Sequence, residues 1–90
     1  EENSGLGIQA SSQLQVDLFP NPANTEITLT GIPRESMIEM SDVNGKIWKS
    51  LLWSDQRTIN VQELPAGLYL LKIEVPQKGI FYKKLIIERL

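Results

Sequence analysis

The residues able to do chemistry in this chain are few. Asp42-Val43-Asn44-Gly45 alternates Asp and Asn oxygens that could be offered to a hard cation. A calcium loop needs a further interior oxygen donor and a closing Glu, and both are missing, whereas hairpin chemistry accounts for all four residues. Glu35 with Glu39, and Glu63 with Glu74, are carboxylate pairs of the type that could share acid–base work. Nothing places either pair in a pocket, and strand carboxylates of this kind normally form a solvated face. The sequence contains neither His nor Cys. Ser-His-Asp and Cys-His catalysis are therefore excluded, as are His-containing zinc sites, thiolate metal sites and disulfides. The expectation is a chain that is not an enzyme and uses no catalytic residue, metal or cofactor.

Ninety residues make one domain at most. The net charge of -2 is small and leaves no basic face of the kind nucleic acid requires, so no nucleic-acid partner is expected. No apolar run approaches the length of a membrane span, so the chain is read as not membrane-spanning. It starts at Glu1 without an initiator Met or signal peptide, and is read as a piece cut from the end of a longer protein.

The elements that would position any site are short strands. Residues 1–13 are polar, small and Gly/Ser-containing, the composition of a flexible linker, and residues 14–90 form the folded domain. Leu14, Val16 and Leu18 alternate with polar residues as in a half-buried strand. Pro20-Asn21-Pro22 must then break the ladder, because neither proline has a backbone N–H. Ile27 with Leu29, and Ile38 with Met40, mark the next two strands. Asn44-Gly45 predicts a type I′ hairpin, which needs positive φ at both residues.

The returning strand, Lys46 to Trp53, has apolar residues on both parities, and its face is ambiguous. Trp48 and Trp53 have opposite parity, so one should be buried and the other more exposed. Ile59 and Val61 suggest a fifth strand. After Pro65-Ala66-Gly67 the sixth alternates clearly, with Tyr69, Leu71, Ile73 and Val75 on one face. Pro76-Gln77-Lys78-Gly79 reverses the chain into a last strand, Ile80 to Glu88. Seven short strands with Gly/Pro/Asn turns predict an all-β fold, a seven-stranded immunoglobulin-like antiparallel β-sandwich.

The last strand carries two apolar faces. If Leu85 and Ile87 point inward, then Ile80, Tyr82 and Ile86 form an outward apolar stripe beside Lys84. Such a strand is either covered by a partner or sits centrally in its sheet. An exposed terminal strand also predicts that the isolated domain could form a homodimer through it.

Four segments in this order and spacing carry a family resemblance: Leu18-Phe19-Pro20-Asn21-Pro22-Ala23-Asn24, Asp42-Val43-Asn44-Gly45-Lys46, Leu64-Pro65-Ala66-Gly67-Leu68-Tyr69-Leu70 and Tyr82-Lys83-Lys84-Leu85-Ile86-Ile87-Glu88-Arg89-Leu90. Together they resemble the C-terminal sorting domain of proteins exported by the type IX secretion system of Bacteroidota. The resemblance implies an immunoglobulin-like domain at the end of a cargo protein. It directs that cargo through the periplasm and the outer-membrane translocon to the cell surface or the extracellular space. A surface sortase usually removes the domain.

On this resemblance the translocon-recognition candidates are Gly67, Leu68, Tyr69, Lys83, Lys84, Ile86, Arg89 and Leu90. The cleavage-region candidates are Ser4, Gly5, Ala10, Ser11 and Ser12. The competing reading is a retained structural or adhesive module of a surface or secretion-apparatus protein.

Overall fold

The computed structural model describes residues 15–89, and the expected linker, residues 1–13, lies outside them together with Leu14 and Leu90. Seven strands follow in chain order: β1 (Asp17–Phe19), β2 (Glu26–Thr30), β3 (Met37–Asp42), β4 (Ile47–Leu52), β5 (Thr58–Asn60), β6 (Gly67–Val75) and β7 (Gly79–Ile87). They form two antiparallel sheets, one of order β1-β2-β5 and one of order β4-β3-β6-β7. The expected seven-stranded sandwich is what forms, and β7 lies at the edge of its sheet.

The core follows from strand alternation, because side chains two apart share a face. Ile27 and Leu29 of β2, Ile38 and Met40 of β3, and Leu85 and Ile87 of β7 are buried with Tyr69, Leu71, Ile73 and Val75 of β6. Ile59, Val61 and Leu64 close one side of it, and Leu18 and Phe81 pack partly against it. Gly31, with φ at 86°, ends β2 where the backbone of Gln15 passes. A Cβ there would stand 2.0 Å from the Gln15 carbonyl oxygen, so no other residue fits without backbone movement.

The ambiguous face of the fourth strand has a specific cause. Met40 pairs with Lys49 and Ser41 with Ile47, so Trp48 is an extra residue in the ladder. Such a bulge flips the parity of everything after it. Trp48 is half-buried while Trp53, just past the strand, is buried, as the opposite parity of the two implied.

The β3–β4 turn differs from the type I′ hairpin expected at Asn44-Gly45. Gly45 has φ at 86°, but Asn44 does not have a positive φ. Gly45 N–H donates to the Asp42 carbonyl and Asp42 N–H to the Lys46 carbonyl, both at 3.0 Å. This is a type I turn followed by a left-handed glycine, the three-residue hairpin loop. The Asp42 side chain tips the choice. Its Oδ1 accepts from the Asn44 and Lys46 amides at 2.9 and 3.0 Å, and its Oδ2 from Trp48 Nε1 at 2.9 Å. A carboxylate engaged by three N–H donors selects the loop conformation that aims those donors at it.

Candidate functional site

The Leu64–Leu70 segment divides into a structural half and a presented half. Tyr69 is buried, and its hydroxyl donates to the Pro65 carbonyl at 2.6 Å, a tyrosine corner that ties the start of β6 to the preceding turn. Burial, reinforced by the negative charge of Asp42, raises its phenol above the usual tyrosine range. Gly67 opens β6 with φ at 150° and nothing close to a Cβ position. Leu68 points outward and is 45% exposed.

The terminal strand is divided along its length. Odd residues face the core side, with Phe81 half-buried, Lys83 exposed and Leu85 and Ile87 buried, while Ile80, Tyr82, Lys84 and Ile86 face out. Register sets Leu68 beside Ile86, Leu70 beside Lys84, and Lys72 beside Tyr82. The outer face of the four-stranded sheet thus carries an exposed apolar strip, Leu68, Leu70 and Ile86, with Lys84 set against it. The strip continues into a groove of about 410 Å³ toward the β3–β4 turn, lined by Ser41, Val43, Gly45, Leu68, Leu70 and Lys84.

The edge of β7 is closed at one end by the Pro20–Ala23 segment. Asn21 Nδ2 donates to the Lys84 carbonyl at 3.0 Å, and Asn21 Oδ1 accepts from the Ile86 amide at 2.9 Å. Ala23 then pairs beside Ile87 as a parallel bridge, donating to the Ile86 carbonyl and accepting from the Glu88 amide. The proline-flanked segment does leave the β1 ladder, as its missing donors require. Between β1 and β2 of one sheet it reaches across to β7 of the other, with Asn21 supplying by its side chain the donor that prolines lack. Sequence reasoning did not single out Asn21. The available signal was an amide side chain placed between two residues unable to donate.

Arg89 completes this closure. Its guanidinium donates to the Asn24 backbone and side-chain oxygens and to the carbonyls of Val61, Gln62 and Leu64, the last at 2.6 Å. The basic residue expected to meet a partner is spent on the domain's own loop carbonyls. Of the recognition candidates, the fold brings Leu68, Lys84 and Ile86 together on one exposed face, places Lys83 on the other face of the same strand, and uses Tyr69 and Arg89 internally. Leu90 and the cleavage-region candidates Ser4, Gly5, Ala10, Ser11 and Ser12 lie outside the described residues.

The carboxylate pairs do not converge. Glu63 pairs with Lys49 at 2.7 Å, and that bond lowers its pKa. Glu63 precedes the turn into β6, whereas Glu74 lies near the far end of that strand, roughly 23 Å of strand rise beyond Gly67. Glu35 sits in a turn, while Glu39 stands in register with Ser50 and Lys72 on the sheet. The Asp42 carboxyl is held below its ordinary range, chiefly by the Trp48 bond, with its oxygens turned to N–H donors. Among the described residues no group of three acidic side chains is placed to hold a metal, and no helix is long and apolar enough to cross a membrane. What the geometry assembles is an exposed surface with an apolar strip, a lysine beside it and a partly uncovered strand edge.

Comparison with known proteins bears on what that surface serves. The family model described as the secretion system C-terminal sorting domain matches residues 17–88. None of the curated proteins matches the chain in sequence. Among solved structures the chain is similar to part of PorZ, an essential bacterial surface component of the type-IX secretion system of Porphyromonas gingivalis. The TM-score is 0.72 at 18% identity, over 92% of this chain and 13% of PorZ.

Proposed function

The chain belongs to the secretion system C-terminal sorting domain family, and on that premise we propose that it is a type IX export address read through the outer face of its four-stranded sheet. The observation that carries this is the side-by-side exposure of Leu68 and Ile86 in register, with Lys84 next to them. One machine must accept many unrelated cargoes, so a folded surface with a few presented groups suits the task better than a cargo-specific contact. In this reading cargo on the N-terminal side passes through the periplasm and the outer-membrane translocon to the surface or beyond. A sortase then cuts before the folded domain, near Ser4-Gly5 or Ala10-Ser11-Ser12.

The roles of the candidates separate. Leu68, Lys84 and Ile86 meet the translocon. Gly67 permits the turn, and Tyr69 and Arg89 hold the strands that present the contact groups. Lys83 adds charge on the opposite face of the terminal strand.

The test is a reporter carrying residues 1–90 behind a signal peptide in a type IX-competent bacterium. Surface reporter is expected for the wild-type domain and periplasmic reporter for Leu68→Glu with Ile86→Glu, both proteins keeping the same unfolding temperature. Equal surface display of the two would remove the proposed contact face. Periplasmic retention of the wild-type fusion would remove the sorting role itself.

A second reading, a retained surface module, has support in the similarity to part of PorZ, itself a surface component. The two differ in fate: a sorting signal disappears from the mature surface protein, whereas a retained module stays. Mass analysis of surface-exposed protein for peptides from residues 15–89 separates them.

A further inference from the structure

Backbone direction on β7 shows where its edge is unfinished. In an antiparallel ladder a residue turns both its N–H and its C=O toward one neighbour, and the next residue turns both away. Ile86 gives its amide to Asn21 and its carbonyl to Ala23, so the even residues of β7 face away from β6. Glu88 N–H, both groups of Ile86 and the Lys84 carbonyl are covered by Asn21 and Ala23. The remaining outward groups are the N–H and C=O of Ile80 and Tyr82 and the N–H of Lys84. None of them bonds to any described residue.

This open stretch differs from the molecule's other edges. β1 and β5 have three residues each, and β4 is bulged at Trp48. Short and bulged edges resist pairing, whereas β7 pairs continuously with β6 over nine residues. Its open half also has a definite chemistry. Ile80 and Tyr82 are 49% and 57% exposed; Lys72 stands opposite Tyr82 and Lys84 follows on the same face, Glu74 stands opposite Ile80, and Lys83 lies on the other face of the strand. The ion pairs among the described residues, Arg34–Asp55 and Lys49–Glu63, involve none of these lysines.

We propose that the Ile80–Lys84 edge accepts an extended segment of a partner protein, alternating apolar and acidic residues, as an added strand. The partner's main chain would pair with the Ile80, Tyr82 and Lys84 backbone, its apolar side chains would cover Ile80 and Tyr82, and its carboxylates, on the other face of the added strand, would meet Lys83. Charge selects this occupant over a second copy. Two β7 strands paired antiparallel about Tyr82 would set Lys83 opposite Phe81 of the other copy and place the two Lys83 side chains diagonally on one face. Such like-charge neighbours oppose pairing. The sorting reading supplies only the cellular setting of the partner; the edge chemistry stands without it.

The test uses the 90-residue chain and two synthetic eight-residue peptides, one alternating Val and Glu and one alternating Val and Lys. Amide hydrogen exchange by NMR is expected to slow about tenfold or more at Ile80, Tyr82 and Lys84 with the acidic peptide. The basic peptide should leave those amides unchanged. Tyr82→Pro removes an outward N–H without taking a bond from the β6–β7 ladder, and it should abolish the protection. Tyr82→Thr, which keeps the N–H, should retain most of it and guards against a fold defect in the proline variant. No slowing with the acidic peptide, or equal slowing with both peptides, overturns the proposal. Protection that grows with protein concentration alone overturns it in favour of a second copy. Export of the reporter is scored separately, so loss of sorting with intact peptide binding strikes only the sorting reading.

Discussion

Asn21 and Ile86 are joined across 65 positions of sequence by one hydrogen bond of 2.9 Å, and the same Asn21 amide also holds the Lys84 carbonyl. One side chain thereby replaces a strand residue along the end of β7. Asn21→Ala is expected to cost about 1–2 kcal/mol, the worth of two partly exposed bonds. For a domain of this size that is a fall of roughly 4–16 °C in unfolding temperature. Hydrogen exchange at the Ile86 amide should accelerate more than at Leu85, whose amide faces β6. Asn21→Asp keeps the acceptor for Ile86 but loses the donor to Lys84, and should also be destabilised. An unchanged Ile86 exchange rate in Asn21→Ala would refute the bridging role.

Arg89 holds backbone oxygens of Asn24, Val61, Gln62 and Leu64 with one guanidinium. Arg89→Ala should cost about 2–4 kcal/mol, since charge-assisted bonds are stronger than neutral ones. Arg89→Lys should recover only a minor part of that loss, because an ammonium cannot span the same fork of acceptors. Denaturant unfolding of the three proteins measures this directly. Equal stability of the lysine variant and wild type would mean that charge alone, without the planar fork, suffices.

Tyr69 couples burial to alkaline stability. Its folded pKa is raised, by burial first and then by Asp42, while the unfolded phenol titrates at its usual value near 10. The group's contribution is therefore complete below about pH 10 and is lost as pH rises through the raised folded value. Tyr69→Phe should be destabilised by about 1 kcal/mol at neutral pH through loss of the Pro65 bond. It should also show a shallower fall in stability above about pH 10. Parallel alkaline profiles for the two proteins would contradict this.

Asp42 carries the opposite sign. Its folded pKa lies below the ordinary 3.8, with the Trp48 bond as the leading cause. The stability it supplies is present above that ordinary value and is lost as pH falls through the lowered folded one. Asp42→Asn should unfold at a lower temperature at neutral pH and show a smaller drop on acidification. Trp48 fluorescence would report local release of the indole as the wild type is acidified. Identical acid profiles would show that the carboxylate plays no such part.

The sandwich was readable from the chain because its information is local. Tyr69, Leu71, Ile73 and Val75 bury by period two, and the Pro65–Gly67 and Pro76–Gly79 turns bound their strand without reference to anything distant. The family was legible for the same reason, since its recurring pieces are short turn-and-strand motifs in fixed order. The presence of Leu68, Lys84 and Ile86 was equally plain, along with the two-faced character of the last strand.

Tertiary structure decided which neighbour each group found. Asn21 meets Lys84 and Ile86, and Asn24 meets Arg89, only when residues more than sixty positions apart are brought side by side, and no spacing rule announces those contacts. The parity of the fourth strand depended on a bulge at Trp48, which exists only once β3 is present as a partner. The Asn44-Gly45 turn took its form from the Asp42 carboxylate and its three donors, where dipeptide preference alone favoured another. Whether the last strand was central or at an edge rested on sheet order, a property of long-range pairing. Local propensity therefore determined the elements and the family, while distant hydrogen bonds determined which residues are consumed in holding the domain and which remain available to bind.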